Sequence, residues 1–103
     1  MPKALRINPK DNVAVCTSAV SAGNPVEILE PDGSRAGLVA VTDVPFCNKI
    51  ALRDIAVGDE ILKYGEVIGK ATGAIPKGAL VNDRNIASQP RRYADEYILK
   101  QGE

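Results

Sequence analysis

An apolar residue, two spacers, a glycine, two spacers and a second apolar residue recur three times in this chain. The copies are Val20-Ser21-Ala22-Gly23-Asn24-Pro25-Val26, Ile55-Ala56-Val57-Gly58-Asp59-Glu60-Ile61 and Ile75-Pro76-Lys77-Gly78-Ala79-Leu80-Val81. The last two stand 20 positions apart and share Ala51 and Ala71, four residues upstream of their first apolar residue. A glycine between apolar anchors over so short a span marks a tight turn, because glycine accepts a left-handed or closely approached backbone while the two flanking side chains plug one core from either side. Gly23, Gly58 and Gly78 are therefore assigned to backbone geometry. The unit is too short for a solenoid repeat.

The segments between these turns are short, which favours strands over helices. Leu5-Arg6-Ile7 alternates, Asn8-Pro9-Lys10-Asp11-Asn12 breaks it, and Val13-Ala14-Val15-Cys16 resumes. Val26-Glu27-Ile28-Leu29 leads into Glu30-Pro31-Asp32-Gly33-Ser34, a hairpin-like turn in which Pro sets φ and Gly accepts a positive one. Leu38-Val39-Ala40-Val41 reads as a buried strand ending near Pro45. Six or seven short strands fit this spacing. The glycines of Lys63-Tyr64-Gly65-Glu66-Val67-Ile68-Gly69 lack any phosphate-loop pattern and read as strand-end and bulge glycines. After Pro90 the character changes, and Tyr93 and Tyr97 would share one face of a short helix suited to docking on a partner. The expected division is a β domain over 1–88 and a tail over 89–103.

Bulk properties narrow the function. A chain of 103 residues is one domain with one core, and with 4% aromatic residues and no Trp that core rests on Val, Ile, Leu and Ala. Thirteen basic residues balance thirteen acidic ones, so no net field concentrates nucleic acid or an anionic membrane. No signal-peptide or membrane-spanning run occurs, which points to the cytoplasm. Cys16 and Cys47 have no CxxC spacing and read as buried small hydrophobes more readily than as a disulfide. There is no histidine, which removes the commonest general base near neutral pH and the commonest transition-metal ligand. No catalytic residue and no metal-ligand set can be assigned within this chain alone.

The stretch 44–72, including Asn48-Lys49-Ile50-Ala51-Leu52-Arg53-Asp54-Ile55 and Lys63-Tyr64-Gly65-Glu66-Val67-Ile68-Gly69, resembles the SAF domain of the altronate/galactarate dehydratase family, which includes the sulfolactate sulfo-lyases. The opening Ile7-Asn8-Pro9-Lys10-Asp11-Asn12-Val13-Ala14-Val15 is also similar, and the likeness runs from about residue 5 to 87. The resemblance implies an all-β, β-clip (SAF, antifreeze-like) fold of short strands, ending here in a short helix or tail. In that family the domain is either the N-terminal part of the dehydratase or a separate small subunit, and the expectation here is a small subunit, inactive alone, of a lyase that eliminates water, or sulfite, from a 2-hydroxy acid. A large dehydratase subunit would hold most of the active site and a divalent metal, iron, manganese or magnesium, with no cofactor bound by this chain alone. Elimination needs a base for the proton beside the carboxylate and an electrophile for the leaving group.

One position departs from the family. Where a histidine commonly precedes Lys-Ile-Ala-Leu, this chain has Asn48, which offers a carbonyl oxygen or an amide donor and cannot shuttle a proton. Asn48 reads either as a substrate contact or as the cap of a turn after Pro45. Lys49 reads as an anchor for a substrate carboxylate or phosphate, or as a solvated surface lysine. Arg53 and Asp54 pair or line one edge. Asn48, Lys49 and Arg53 are the candidate substrate-binding residues. A different class of function is a non-catalytic carbohydrate-binding or assembly module, and unpaired strand edges on so small a sheet invite self-pairing into a homo-oligomer.

Overall fold

The computed structural model describes residues 1–88, which form nine strands and no helix. They are β1 (Lys3–Leu5), β2 (Val13–Cys16), β3 (Pro25–Leu29), β4 (Arg35–Val39), β5 (Lys49–Ala51), β6 (Glu60–Lys63), β7 (Glu66–Ala71), β8 (Leu80–Val81) and β9 (Ile86–Ser88). The all-β expectation holds, with more strands than the six or seven read from the spacing, because two- and three-residue strands such as β8 and β9 leave no periodic trace. One sheet has the order β4-β3-β1-β2-β5-β8 and the other β6-β7-β9. Every pairing is antiparallel except β1 with β3. The expected Tyr93 and Tyr97 helix lies outside the described residues.

The turns obey one rule. Val20 and Val44 exchange N–H···O bonds at 2.9 and 2.8 Å, and Ile55 and Ile75 do the same at 2.8 Å each way. Gly23, Gly58 and Gly78, with φ of 90, 86 and 89°, follow three of these residues. The fourth, Val44, opens Val44-Pro45-Phe46-Cys47-Asn48-Lys49-Ile50, in which Cys47 takes the glycine place at φ 67°. Each turn residue donates its N–H to a small residue four positions before the partner turn: Gly23 to Ala40, Cys47 to Cys16, Gly58 to Ala71 and Gly78 to Ala51. The small residue's N–H returns a bond to the carbonyl just after the turn, on Asn24, Asn48, Asp59 and Ala79 in the same order. Asp43 and Asp54 complete the device, their Oδ1 atoms accepting the N–H of Ala22 and Lys77 at 2.8 Å.

These turns divide the apolar residues into two clusters rather than the single core expected from chain length. Val20, Val26, Val44 and Ile50 belong to the first, with Ile28 and Leu38. Ile55, Ile61, Ile75 and Val81 belong to the second. Strands β2 and β5 stand between: Ala14, Cys16 and Ile50 face the first cluster, Val13 and Ala51 the second. Burial on both faces explains why these strands read as continuous apolar runs. The reading of residues 38–41 as a buried strand is corrected. β4 is a sheet edge that ends at Val39, and along it and the two residues that follow, Leu38 and Ala40 are buried while Val39 and Val41 are half exposed. Cys47 is likewise exposed, because the turn carries it outward, and both cysteines are free thiols.

A buried polar pair joins the halves. Asp11 is 3% exposed and Asn12 2%. The Asp11 carboxylate accepts the N–H groups of Asn8 (3.0 Å), Tyr64 (3.0 Å) and Gly65 (2.7 Å). Tyr64 and Gly65 both have positive φ, 58 and 74°, as a two-residue hairpin turn of the primed kind requires. Asn12 donates to Glu60 O and accepts from Leu62 N–H, each at 2.8 Å. Buried polar groups of this kind are tolerated because every one is paired.

Candidate functional site

Residues 6–12, β3–β4 and the turns carrying Arg53 and Lys77 enclose a depression of about 290 Å³. Its floor is apolar: Ile28, Ala36 and Leu38, alternate residues of β3 and β4, line it together with Leu52, which follows β5 and packs against the first cluster. Its cations are Arg6, Lys10, Arg53 and Lys77, and its acids Asp11 and Glu30. Both acids are engaged. Asp11 holds the three N–H groups above, and Glu30 accepts Arg6 Nη1 at 2.9 Å. Arg6 also donates to the carbonyl oxygens of Asp11 (3.1 Å) and Pro9, so its guanidinium stiffens the loop that forms one wall. The arrangement offers positive charge over an apolar base.

The three candidate substrate contacts are not brought to one place. Arg53 lines the depression; Asn48 and Lys49 do not. Asn48 sits in the Cys47 turn, where its N–H donates to Pro45 O (3.1 Å), its carbonyl accepts the Cys16 N–H (2.9 Å) and its Nδ2 reaches Phe46 O (3.2 Å). Its contacts within the chain are thus those of a turn cap. Lys49 opens β5 between Val15 and Val81. Burial pushes the pKa of its ammonium group down, the charge of Lys63 adds to this, and Asp83 works against it. Asp54 holds Lys77 N–H and so lines up beside Arg53 through the turn.

Lys10, Lys77 and Arg6 were invisible as site residues in the sequence. They come from segments far apart, and only the Asp54–Lys77 bond and the fold of the 6–12 loop bring them to one concavity. As for metals, among the described residues no three His, Cys, Asp or Glu side chains cluster to hold an ion. The buried carboxylate of Asp11 already serves three backbone donors. Among the described residues, the acidic and thiol side chains do not gather into a donor set that fits a divalent metal.

The turns and the two curled sheets define a small β-clip module. Residues 2–89 match the family described as altronate/galactarate dehydratase SAF domain, and the chain belongs to that family. Over 81 residues it is 36% identical to galactarate dehydratase (L-threo-forming) of Escherichia coli (strain K12), covering 77% of this chain and 14% of that protein. Over 58 residues it is 36% identical to (2R)-sulfolactate sulfo-lyase subunit alpha of Paracoccus pantotrophus, covering 56% of this chain and 87% of that subunit. Altronate dehydratase of Escherichia coli (strain K12) is 33% identical over 81 residues, 79% of this chain and 15% of that enzyme. The chain thus spans only a small fraction of the two dehydratases and most of the sulfo-lyase subunit. No helix among the described residues is long and apolar enough to cross a membrane.

Proposed function

We propose that this chain is the small SAF subunit of a cytoplasmic sugar-acid dehydratase of the altronate/galactarate type, a lyase that removes water from a 2-hydroxy acid at a site shared with a large metal-binding subunit. The observation that carries this reading is the match to 87% of a protein named as one subunit of a lyase, against 14% of a full-length dehydratase. The absence of histidine supports it, since proton abstraction and metal binding then fall to the partner. In the assembled site Arg53 and Lys49 serve as cationic contacts for the acid, and Asn48 as a polar contact that does not carry a proton.

The test is co-expression with a large dehydratase-like chain, sought in the neighbouring reading frames. The two chains should co-purify, and metal-dependent dehydration of altronate or galactarate should require both. Full activity from the large chain alone would sink the proposal.

A further inference from the structure

Three cations of the depression lack an ion-pair partner among the described residues, where salt bridges join Lys3 and Arg35 to Glu27 and Arg6 to Glu30. They are Lys10, Arg53 and Lys77. The backbone holds each near the others. Asp54 Oδ1 accepts Lys77 N–H at 2.8 Å and Gly78 N–H donates to Ala51 O at 2.8 Å, which clasps the Ile75 turn to the segment bearing Arg53. On the opposite wall Asn8 Oδ1 accepts Lys10 N–H at 2.9 Å, and Asn8 is itself held by the Asp11 carboxylate. Like charges arranged around one concavity repel, and an anion placed among them relieves that repulsion. The recess, about 290 Å³, is at the lower end of small-ligand pockets and is the wrong shape for a broad protein interface.

We propose that this depression is an anion site for a compact hydroxy dicarboxylate, one carboxylate meeting Arg53 and Lys77, the other Lys10, with the carbon chain over Leu38 and Leu52. Arginine supplies the fork that fits a carboxylate, and the two lysines supply mobile point charges. The site stands on its own geometry, while the choice of a hydroxy acid rests on the dehydratase reading above.

The test uses the full chain without any partner. Backbone amide NMR is followed while galactarate, sulfate or acetate is added at matched ionic strength. Galactarate should give saturable shifts at Gly37, Leu38, Arg53 and Lys77, and acetate none. The double variant Arg53→Gln/Lys77→Gln should keep the wild-type melting temperature and bind about tenfold or more weakly, as expected on losing two charge-assisted contacts. Lys70→Gln, an exposed cation on β7 outside the depression, should bind as wild type. Three outcomes would overturn the site: equal, non-saturating shifts from every anion, saturable shifts centred on Lys49 and Lys63, or no response to galactarate at all. Because no partner is present, failure here leaves the subunit proposal standing, and failure of co-purification leaves the anion site standing.

Discussion

The half of the molecule built on Val20 and Val44 and the half built on Ile55 and Ile75 use the same parts in the same order. Each runs from a small residue to a turn, through a hairpin, to a second small residue, a second turn and a closing strand. Two of their differences bear on what the device requires. The first hairpin turns through Glu30–Ser34 and the second through Tyr64-Gly65 alone. The first half also places Cys47 where the other three turns have glycine. The device therefore tolerates a longer hairpin and one strained residue, provided the bond from the turn to the small residue survives. The element shared by the four turns is a hydrogen-bond geometry, and glycine is its usual but not obligatory servant.

The comparison breaks most sharply at Gly78. A Cβ there would collide with the Val39 carbonyl, whereas at Gly23 and Gly58 it would meet open space. Gly78→Ala should cost about 3–5 kcal/mol, combining left-handed strain with overpacking, and Gly23→Ala or Gly58→Ala about 1 kcal/mol each. Denaturant melts giving equal losses at the three sites would refute the distinction. Next comes Asp11→Ala, which strands three backbone donors and should cost about 3 kcal/mol. Hydrogen exchange should then quicken at Tyr64 and Gly65 while the Gly23 amide stays protected.

Smaller effects sharpen the likeness of the halves. Cys47→Gly should stabilise by about 0.5–1 kcal/mol through relief of the left-handed backbone, read as a raised thermal midpoint. Least of all is Lys49→Met. Burial lowers the folded pKa of Lys49 below its ordinary value of 10.5, so the charged lysine is disfavoured by folding. That cost is fully present below the folded pKa and fades as pH rises through it toward the unfolded value. The methionine variant should accordingly melt slightly higher at neutral pH, with the difference narrowing as pH rises toward the ordinary value of 10.5, and a gain that grows with pH would contradict the assignment.

Three of the four turns were legible in the sequence because glycine advertises positive φ. The fourth was read only as a turn after Pro45 that Asn48 could cap, not as a copy of the others, since Cys47 hides the same backbone behind an ordinary side chain and its small partner Cys16 looks unlike Ala40, Ala51 and Ala71. The Asp11–Asn12 clamp was read as a loop breaker, correctly as far as local chemistry goes, but its partners at Glu60, Leu62, Tyr64 and Gly65 lie far along the chain and leave no periodic signal. Of the cationic depression only Arg53 was singled out, because proximity of Lys10 and Lys77 is a property of topology. The split into two clusters escaped a length argument that counts residues and cannot see a strand used on both faces.

That shared use of β2 and β5 bears on how the protein comes apart. Neither half owns a complete wall, so removing one exposes the back of the other to water, and an intermediate with a single intact half should not accumulate. The internal duplication, which on paper suggests two modules, should therefore melt as one indivisible piece.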